Sequence, residues 1–117
     1  MSPESSSTQS TEVPDFDVQS NGVTDGMGRV AVAGEVDVAT APQLREALLE
    51  VIDAGARSLR LDVADVAFID SAGLGVLIGV LKRVREADGT IELVNLQPAP
   101  RKVVEITGLD ELFVLVD

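Results

Sequence analysis

Apolar and polar residues alternate in two short segments near the start of the sequence. The segments FDVQS, from Phe16, and RVAVAGEVD, from Arg29, both have the two-residue period of β-strands. The residues between them, NGVTDGMG, combine glycine with Asn and Asp, a composition typical of turns. We therefore predict two strands that pair antiparallel through a turn spanning residues 21–28.

The next segment, TAPQLREALLEVIDAG, changes to the period of an α-helix. Thr40 is predicted as the N-cap of this helix, with Gln43 completing a capping box, and Gly55 is predicted to end it. The apolar positions that share one face of the helix are Leu44, Ala47, Leu48, Val51 and Ile52. This face is expected to pack on the core.

Strands and helices then alternate to the end of the sequence. SLRLDV and VAFID read as a strand, TIELVNL and LFVLV as two further strands, with a glycine-bearing helix and a short helix over residues 101–107 between them. Alternation of this kind indicates crossover connections and a parallel sheet. We predict a single α/β domain over residues 16–117, with a mixed, mainly parallel sheet that opens on an antiparallel pair. The polar residues 1–15 are expected to form a disordered tail.

The glycine-bearing helix, SAGLGVLIGVLKRVRE, has an unusual outward face. Its core side is predicted to carry Leu74, Leu77, Ile78, Leu81 and Val84, and the opposite side Ala72, Gly75, Val76, Gly79, Arg83 and Glu86. Gly73, Gly75 and Gly79 together cost roughly 3 kcal/mol of helix propensity relative to alanine. Two explanations remain open from the residues alone: a partner's backbone approaches this face, or the glycines admit another element of the same domain.

Ser71 stands at the turn from the preceding strand into this helix and also has two interpretations. Serine is a preferred N-cap residue, and Asp70 is able to share that role. Alternatively Ser71 is a phosphoacceptor, because a helix N-terminus tolerates an anion. A hydrolase nucleophile is disfavoured, since Ile69 occupies the position where the G-x-S-x-G motif requires glycine.

Composition and charge narrow the function further. The sequence contains no His and no Cys, which removes the commonest general base, the commonest metal ligand and thiolate chemistry, so we expect no enzyme activity, no metal and no cofactor. Its formal net charge of -11 disfavours binding to nucleic acid or to an anionic membrane and favours a basic protein partner. With no signal sequence and no spanning segment evident, we expect a soluble cytoplasmic protein.

Three segments carry a resemblance to a known family. FIDSAGLGVLIG, together with GEVDVATAPQLREAL and ITGLDELF, resembles the STAS-domain anti-sigma factor antagonists of bacteria over residues 16–116. The resemblance implies that an anti-sigma factor with serine kinase activity phosphorylates Ser71. It also implies that the unphosphorylated form binds this kinase and thereby releases the sigma factor, and that a serine phosphatase resets the cycle.

The same resemblance implies that Asp37 lies near the phosphoserine and that the helix after it contributes to the kinase-binding surface. The residues expected to bind the partner are Asp37, Asp70, Ser71, Ala72, Gly73, Gly75, Val76, Gly79 and Arg83. An alternative is a STAS subunit of a lipid-transport or stress-signalling assembly. Members of the family usually continue into a further amphipathic helix, whereas this sequence stops at Asp117.

Overall fold

The computed structural model describes residues 16–117, so the tail expected over residues 1–15 lies outside the described residues. The strands are β1 (Asp17–Thr24), β2 (Met27–Val36), β3 (Ser58–Ile69), β4 (Ile91–Val94) and β5 (Val114–Val116). The helices are α1 (Ala41–Asp53), α2 (Ser71–Glu86) and α3 (Pro98–Ile106), followed by a short 3-10 turn at Leu109–Glu111.

The five strands form one sheet in the order β1-β2-β3-β4-β5. β1 and β2 are antiparallel, and the pairs β2–β3, β3–β4 and β4–β5 are parallel. Each parallel connection contains a helix, because parallel neighbours need a crossover that returns the chain to the same edge of the sheet. The predicted α/β fold with a mixed sheet is therefore confirmed.

The β1–β2 hairpin is tighter than the sequence predicted. β1 continues to Thr24, and the turn consists of Asp25 and Gly26, whose φ angles of 53° and 81° suit a two-residue hairpin loop. The strand register shifts between Ser20 and Val23, which marks a bulge within β1. The predicted turn was too long because Asn21 and Gly22, which lie at this bulge, are residue types that are also typical of turns.

The core lies between one face of the sheet and the three helices that the described residues form. Side chains from the sheet, such as Val32, Leu61 and Leu93, belong to the same buried cluster as Leu44 of α1 and Val104 of α3. Residues that alternate with them along the strands, such as Arg29, Glu35, Arg60 and Asp62, are exposed. The sheet therefore has one helix-covered face and one polar face.

The predicted capping box of α1 is wrong in detail. Thr40 does occupy the N-cap position, but its side chain bonds no N–H group of the helix. Instead the Thr40 hydroxyl donates to the carbonyl of Glu35 over 2.8 Å and accepts from the backbone N–H of Asp37 over 2.9 Å. The hydroxyl therefore stabilises the turn between β2 and α1, because it supplies hydrogen-bond partners for two backbone groups of that turn.

Other helix limits differ slightly from the predictions. α1 ends at Asp53, with Gly55 two residues later at a φ of 116°. α3 begins at Pro98, three residues earlier than predicted, because proline is well accommodated in a first helical turn. Gly108 follows α3 at a φ of 76°, as its predicted role as a stop requires. Within residues 16–117, no helix is both long and apolar enough to span a bilayer.

Candidate functional site

The segment around Ser71 lies at the edge of the sheet where β2 and β3 end. Val36 and Ile69, the last residues of these two parallel strands, are paired. The backbone N–H of Asp70 donates to the carbonyl of Val36 over 3.1 Å and holds the two chain segments together past the strand ends. Asp37 and Asp70, each directly after one of the two strands, are therefore brought to the same edge, although they are far apart in sequence.

Asp70, and not Ser71, caps α2. Its backbone is extended, and its Oδ1 atom accepts hydrogen bonds from the N–H groups of Ala72 (2.9 Å) and Gly73 (3.2 Å). Ser71 is the first helical residue and is exposed. Among the hydrogen bonds of the described residues, none involves the Ser71 hydroxyl. The interpretation of Ser71 as the N-cap is therefore wrong, and Ser71 is an exposed residue that caps no helix.

Asp37 is used locally, in the turn that joins β2 to α1. Its Oδ1 atom accepts from the N–H groups of Ala39 (2.9 Å) and Thr40 (3.1 Å). Together with the bonds of the Thr40 hydroxyl, these contacts fix the backbone of the turn. Val38, which lies between Asp37 and Ala39 in this turn, has a side chain that is 76% exposed. Asp37 therefore shapes the surface beside the end of β3 by holding an apolar residue out into solvent.

The glycines of α2 divide into two groups. A Cβ added at Gly73 would lie 2.6 Å from Cγ1 of Val36 and 2.8 Å from Cγ1 of Ile69, whereas one added at Gly75 or Gly79 would meet nothing within 4 Å. Gly73 therefore faces the interior, and its expected place in the partner-binding surface needs correction. Packing within the domain explains Gly73, but it does not explain Gly75 and Gly79, which together cost about 2 kcal/mol of helix propensity.

The outward face of α2 borders a groove that the sequence did not reveal. We call it the α1–α2 groove. Its apolar lining comprises Val38, Ala41, Pro42 and Leu49 on the α1 side and Ala72 and Val76 on the α2 side. Its charged lining comprises Arg45, Glu46, Glu50 and Asp53. The available signal was Val38, a large apolar residue in the turn between β2 and α1, but the sequence did not show that this residue and α2 line one groove.

Arg83 is not brought to Ser71. The two residues are separated by 12 positions along α2, which corresponds to about 18 Å along the helix axis. The Arg83 guanidinium lies 3.9 Å from Oδ1 of Asp53 on α1, with both side chains well exposed. Arg83 thus lies near Asp53, at the end of α1 that is remote from the serine, and does not contact Ser71.

Residues 16–117 contain no group of three or more His, Cys, Asp or Glu side chains arranged to hold a metal ion. The carboxylates of Asp37 and Asp70, the residues that directly follow β2 and β3, accept hydrogen bonds from backbone N–H groups. What the site offers instead is an exposed hydroxyl next to a surface of small and apolar side chains.

The chain is a small α/β domain with a five-stranded mixed sheet and helices on one face of the sheet. Its distinguishing feature is an exposed serine at the turn from β3 into α2. The chain belongs to the STAS domain family, whose model matches residues 20–117. It is 42% identical over 84 residues to an anti-sigma-B factor antagonist of Bacillus subtilis, covering 72% of this chain and 76% of that relative.

Two further comparisons agree with the family assignment. The chain is 33% identical over 88 residues to an anti-sigma-B factor antagonist of Staphylococcus epidermidis, covering 75% of this chain and 82% of the relative. The crystal structure of an anti-sigma factor antagonist from Mycobacterium paratuberculosis superposes with a TM-score of 0.77 at 31% identity, covering 87% of this chain and 86% of that one.

Proposed function

We propose that this protein is an anti-sigma factor antagonist that is switched by phosphorylation of Ser71. In its unphosphorylated form it binds an anti-sigma factor with serine kinase activity and so frees the sigma factor. The observation that carries the proposal is the exposed Ser71 hydroxyl, which caps no helix and has no hydrogen-bond partner among the described residues. The names of the relatives that are 42% and 33% identical, both anti-sigma-B factor antagonists, support the antagonist role.

In the proposed reaction, the Ser71 oxygen attacks the γ-phosphorus of ATP bound to the kinase. A new bond forms between the serine oxygen and phosphorus, the bond to the β-phosphate oxygen breaks, and ADP leaves, while the hydroxyl proton passes to a base of the kinase. This protein is the substrate and supplies no catalytic group. A serine phosphatase hydrolyses the phosphoserine and restores the binding form. ATP and sigma factors meet in the cytoplasm, so we place the cycle there.

Phosphorylation is expected to change the surface and leave the fold intact. Ser71 is exposed and lies in the first turn of α2, where the positive end of the helix dipole favours a negative charge. Because Asp70 already accepts from the N–H groups of Ala72 and Gly73, the phosphate does not have to replace a missing cap. The fold therefore needs no rearrangement to accept it.

The phosphate instead opposes partner binding. It adds a charge of about -1.5 to -2 directly before Ala72, which lines the α1–α2 groove. The partner would have to cover this charge, and burying a charge without a matched partner costs several kcal/mol. Since each 1.4 kcal/mol is tenfold in affinity, we expect phosphorylation to weaken binding by on the order of a hundredfold or more.

The decisive experiment incubates the wild-type protein with ATP and the anti-sigma factor kinase of the same host and maps the phosphate by mass spectrometry. One phosphate at Ser71 is expected. Ser71→Ala should accept none and still bind the kinase, and Ser71→Glu should bind weakly in calorimetric titration. The control is Ser20→Ala, an exposed serine on β1, which should be phosphorylated and bind as the wild type does.

Two results would contradict the proposal. The first is phosphate found on a serine within residues 1–15 instead of on Ser71. The second is a wild-type protein and a Ser71→Glu variant that capture the same large assembly, such as a lipid-transport complex, and no kinase. That outcome would favour a STAS subunit whose contacts do not depend on Ser71.

A further inference from the structure

We infer that Val38 and the α1–α2 groove form an apolar anchor point for the anti-sigma factor kinase, which inserts an apolar side chain flanked by basic residues. This inference rests on the proposed function and adds the chemistry of the partner segment. Val38 has the largest exposed fraction, 76%, of the exposed large apolar side chains within residues 16–117. It has no obvious structural role, since a side chain this exposed buries little apolar surface in its own domain.

The backbone around Val38 is rigidly held. The carboxylate of Asp37 accepts from two backbone N–H groups of the turn, and the Thr40 hydroxyl bridges the carbonyl of Glu35 and the N–H of Asp37. An apolar side chain presented on a fixed backbone loses little conformational entropy on binding. The turn is therefore suited to place Val38 in the same position in the free and the bound protein.

The groove has the anatomy of a protein–protein contact. Next to Val38 it is lined by small or apolar side chains, among them Leu49, Ala72 and Val76, and its charged side chains come from α1. Such interfaces combine apolar side chains with charged ones, and the groove supplies both kinds. Ala72 belongs to this lining and directly follows Ser71, so a phosphate on Ser71 would stand on the α2 side of the groove, where the lining is apolar, and not on α1, which carries the carboxylates.

Charge indicates which kind of segment fits. Three carboxylates, from Glu46, Glu50 and Asp53, line the groove against the single cation of Arg45. Asp53 has Arg83 at 3.9 Å, whereas Glu46 and Glu50 have no cationic partner within 4.0 Å among residues 16–117. Lysine or arginine beside the inserted apolar residue would complement these two carboxylates, in keeping with the net charge of -11.

The test compares two exposed apolar residues of similar accessibility. Val38 is 76% exposed and Ile106, at the end of α3 and outside the groove, is 73% exposed. Wild-type, Val38→Ser and Ile106→Ser proteins are titrated calorimetrically with the purified kinase. We expect at least tenfold weaker binding for Val38→Ser, which corresponds to about 1.4 kcal/mol, and a change below twofold for Ile106→Ser.

Two more variants examine the chemistry of the contact. Val38→Leu keeps an apolar side chain and should bind within about threefold of the wild type, which separates an apolar anchor from a merely structural turn. The double variant Glu46→Lys, Glu50→Lys should bind more weakly than the wild type, and the difference should grow as the salt concentration is lowered. The reason is that the introduced lysines repel the basic residues of the partner, and this repulsion is screened less at low salt. Thermal unfolding of each protein confirms that folding is unchanged.

Specific results overturn the inference. If Val38→Ser binds as tightly as Ile106→Ser, or Val38→Leu binds as weakly as Val38→Ser, the apolar anchor is excluded. If the wild type binds the kinase and Ser71→Glu does not, yet Val38→Ser binds normally, only this inference fails. If the wild type neither binds the kinase nor accepts phosphate at Ser71, the proposed function fails as well.

Discussion

Gly73 and Gly79 lie six positions apart in α2, and alanine at these two sites should have opposite effects on stability. At Gly79 the added methyl group meets nothing within 4 Å, so the change should only improve helix propensity. This improvement is worth roughly 1 kcal/mol. In a domain of about 100 residues that raises the melting temperature by about 4–8 °C.

At Gly73 the same methyl group has no room. Its Cβ would lie 2.6 Å from Val36 Cγ1 and 2.8 Å from Ile69 Cγ1, at the ends of the two strands that hold the site together. Both neighbours are buried, so they cannot move into solvent. Overpacking of this kind costs about 1–3 kcal/mol. We therefore expect Gly73→Ala to be less stable than the wild type, despite the better helix propensity of alanine.

Urea unfolding followed by circular dichroism measures both free energies of unfolding. The same two proteins are then titrated with the kinase, where Gly79→Ala should bind more weakly because its methyl group projects from the outward face of α2. A Gly73→Ala protein as stable as the wild type would refute the assignment of Gly73 to the interior. A Gly79→Ala protein destabilised by about 1 kcal/mol or more, as much as the propensity gain expected in the opposite direction, would show that Gly79 also packs inside the domain.

Three further predictions use the same unfolding assay. Asp70→Ala should lower the free energy of unfolding by about 1 kcal/mol, because it removes the cap of α2. Ser71→Ala should change it by less than about 0.5 kcal/mol, and an effect as large as that of Asp70→Ala would restore Ser71 as a cap. Thr40→Val should cost roughly 0.5–1.5 kcal/mol, since the part-buried N–H of Asp37 and the carbonyl of Glu35 lose their shared partner; an unchanged midpoint would show that water replaces it.

The periodicity of the sequence was sufficient to predict the α/β fold. Strand alternation around Val30 and the helical stripe around Leu48 are local properties, because the side-chain directions of a strand or helix follow from its own backbone. The turn at Ser71 was also predicted, since an apolar strand, a polar pair and a helical pattern follow one another there. The role of the serine as a phosphoacceptor is a prediction that comes from the family resemblance of the DSAGLG segment.

The tertiary structure decided which residue does what within this turn. Asp and Ser are both preferred N-cap residues, so the sequence does not decide which of Asp70 and Ser71 caps α2. The backbone decides it, because Asp70 has the extended conformation of an N-cap. Likewise, a helical wheel gives the angles between Gly73, Gly75 and Gly79, but it does not say where a neighbouring strand approaches. The ends of β2 and β3 approach Gly73 alone.

The α1–α2 groove was beyond the reach of sequence reasoning for the same reason. Val38 and Val76 are 38 positions apart, and their proximity follows from the parallel pairing of β2 with β3, which starts α1 and α2 at the same edge of the sheet. Local patterns determine which side chains an element exposes. Only the packing of one element against another determines which exposed side chains form a common surface.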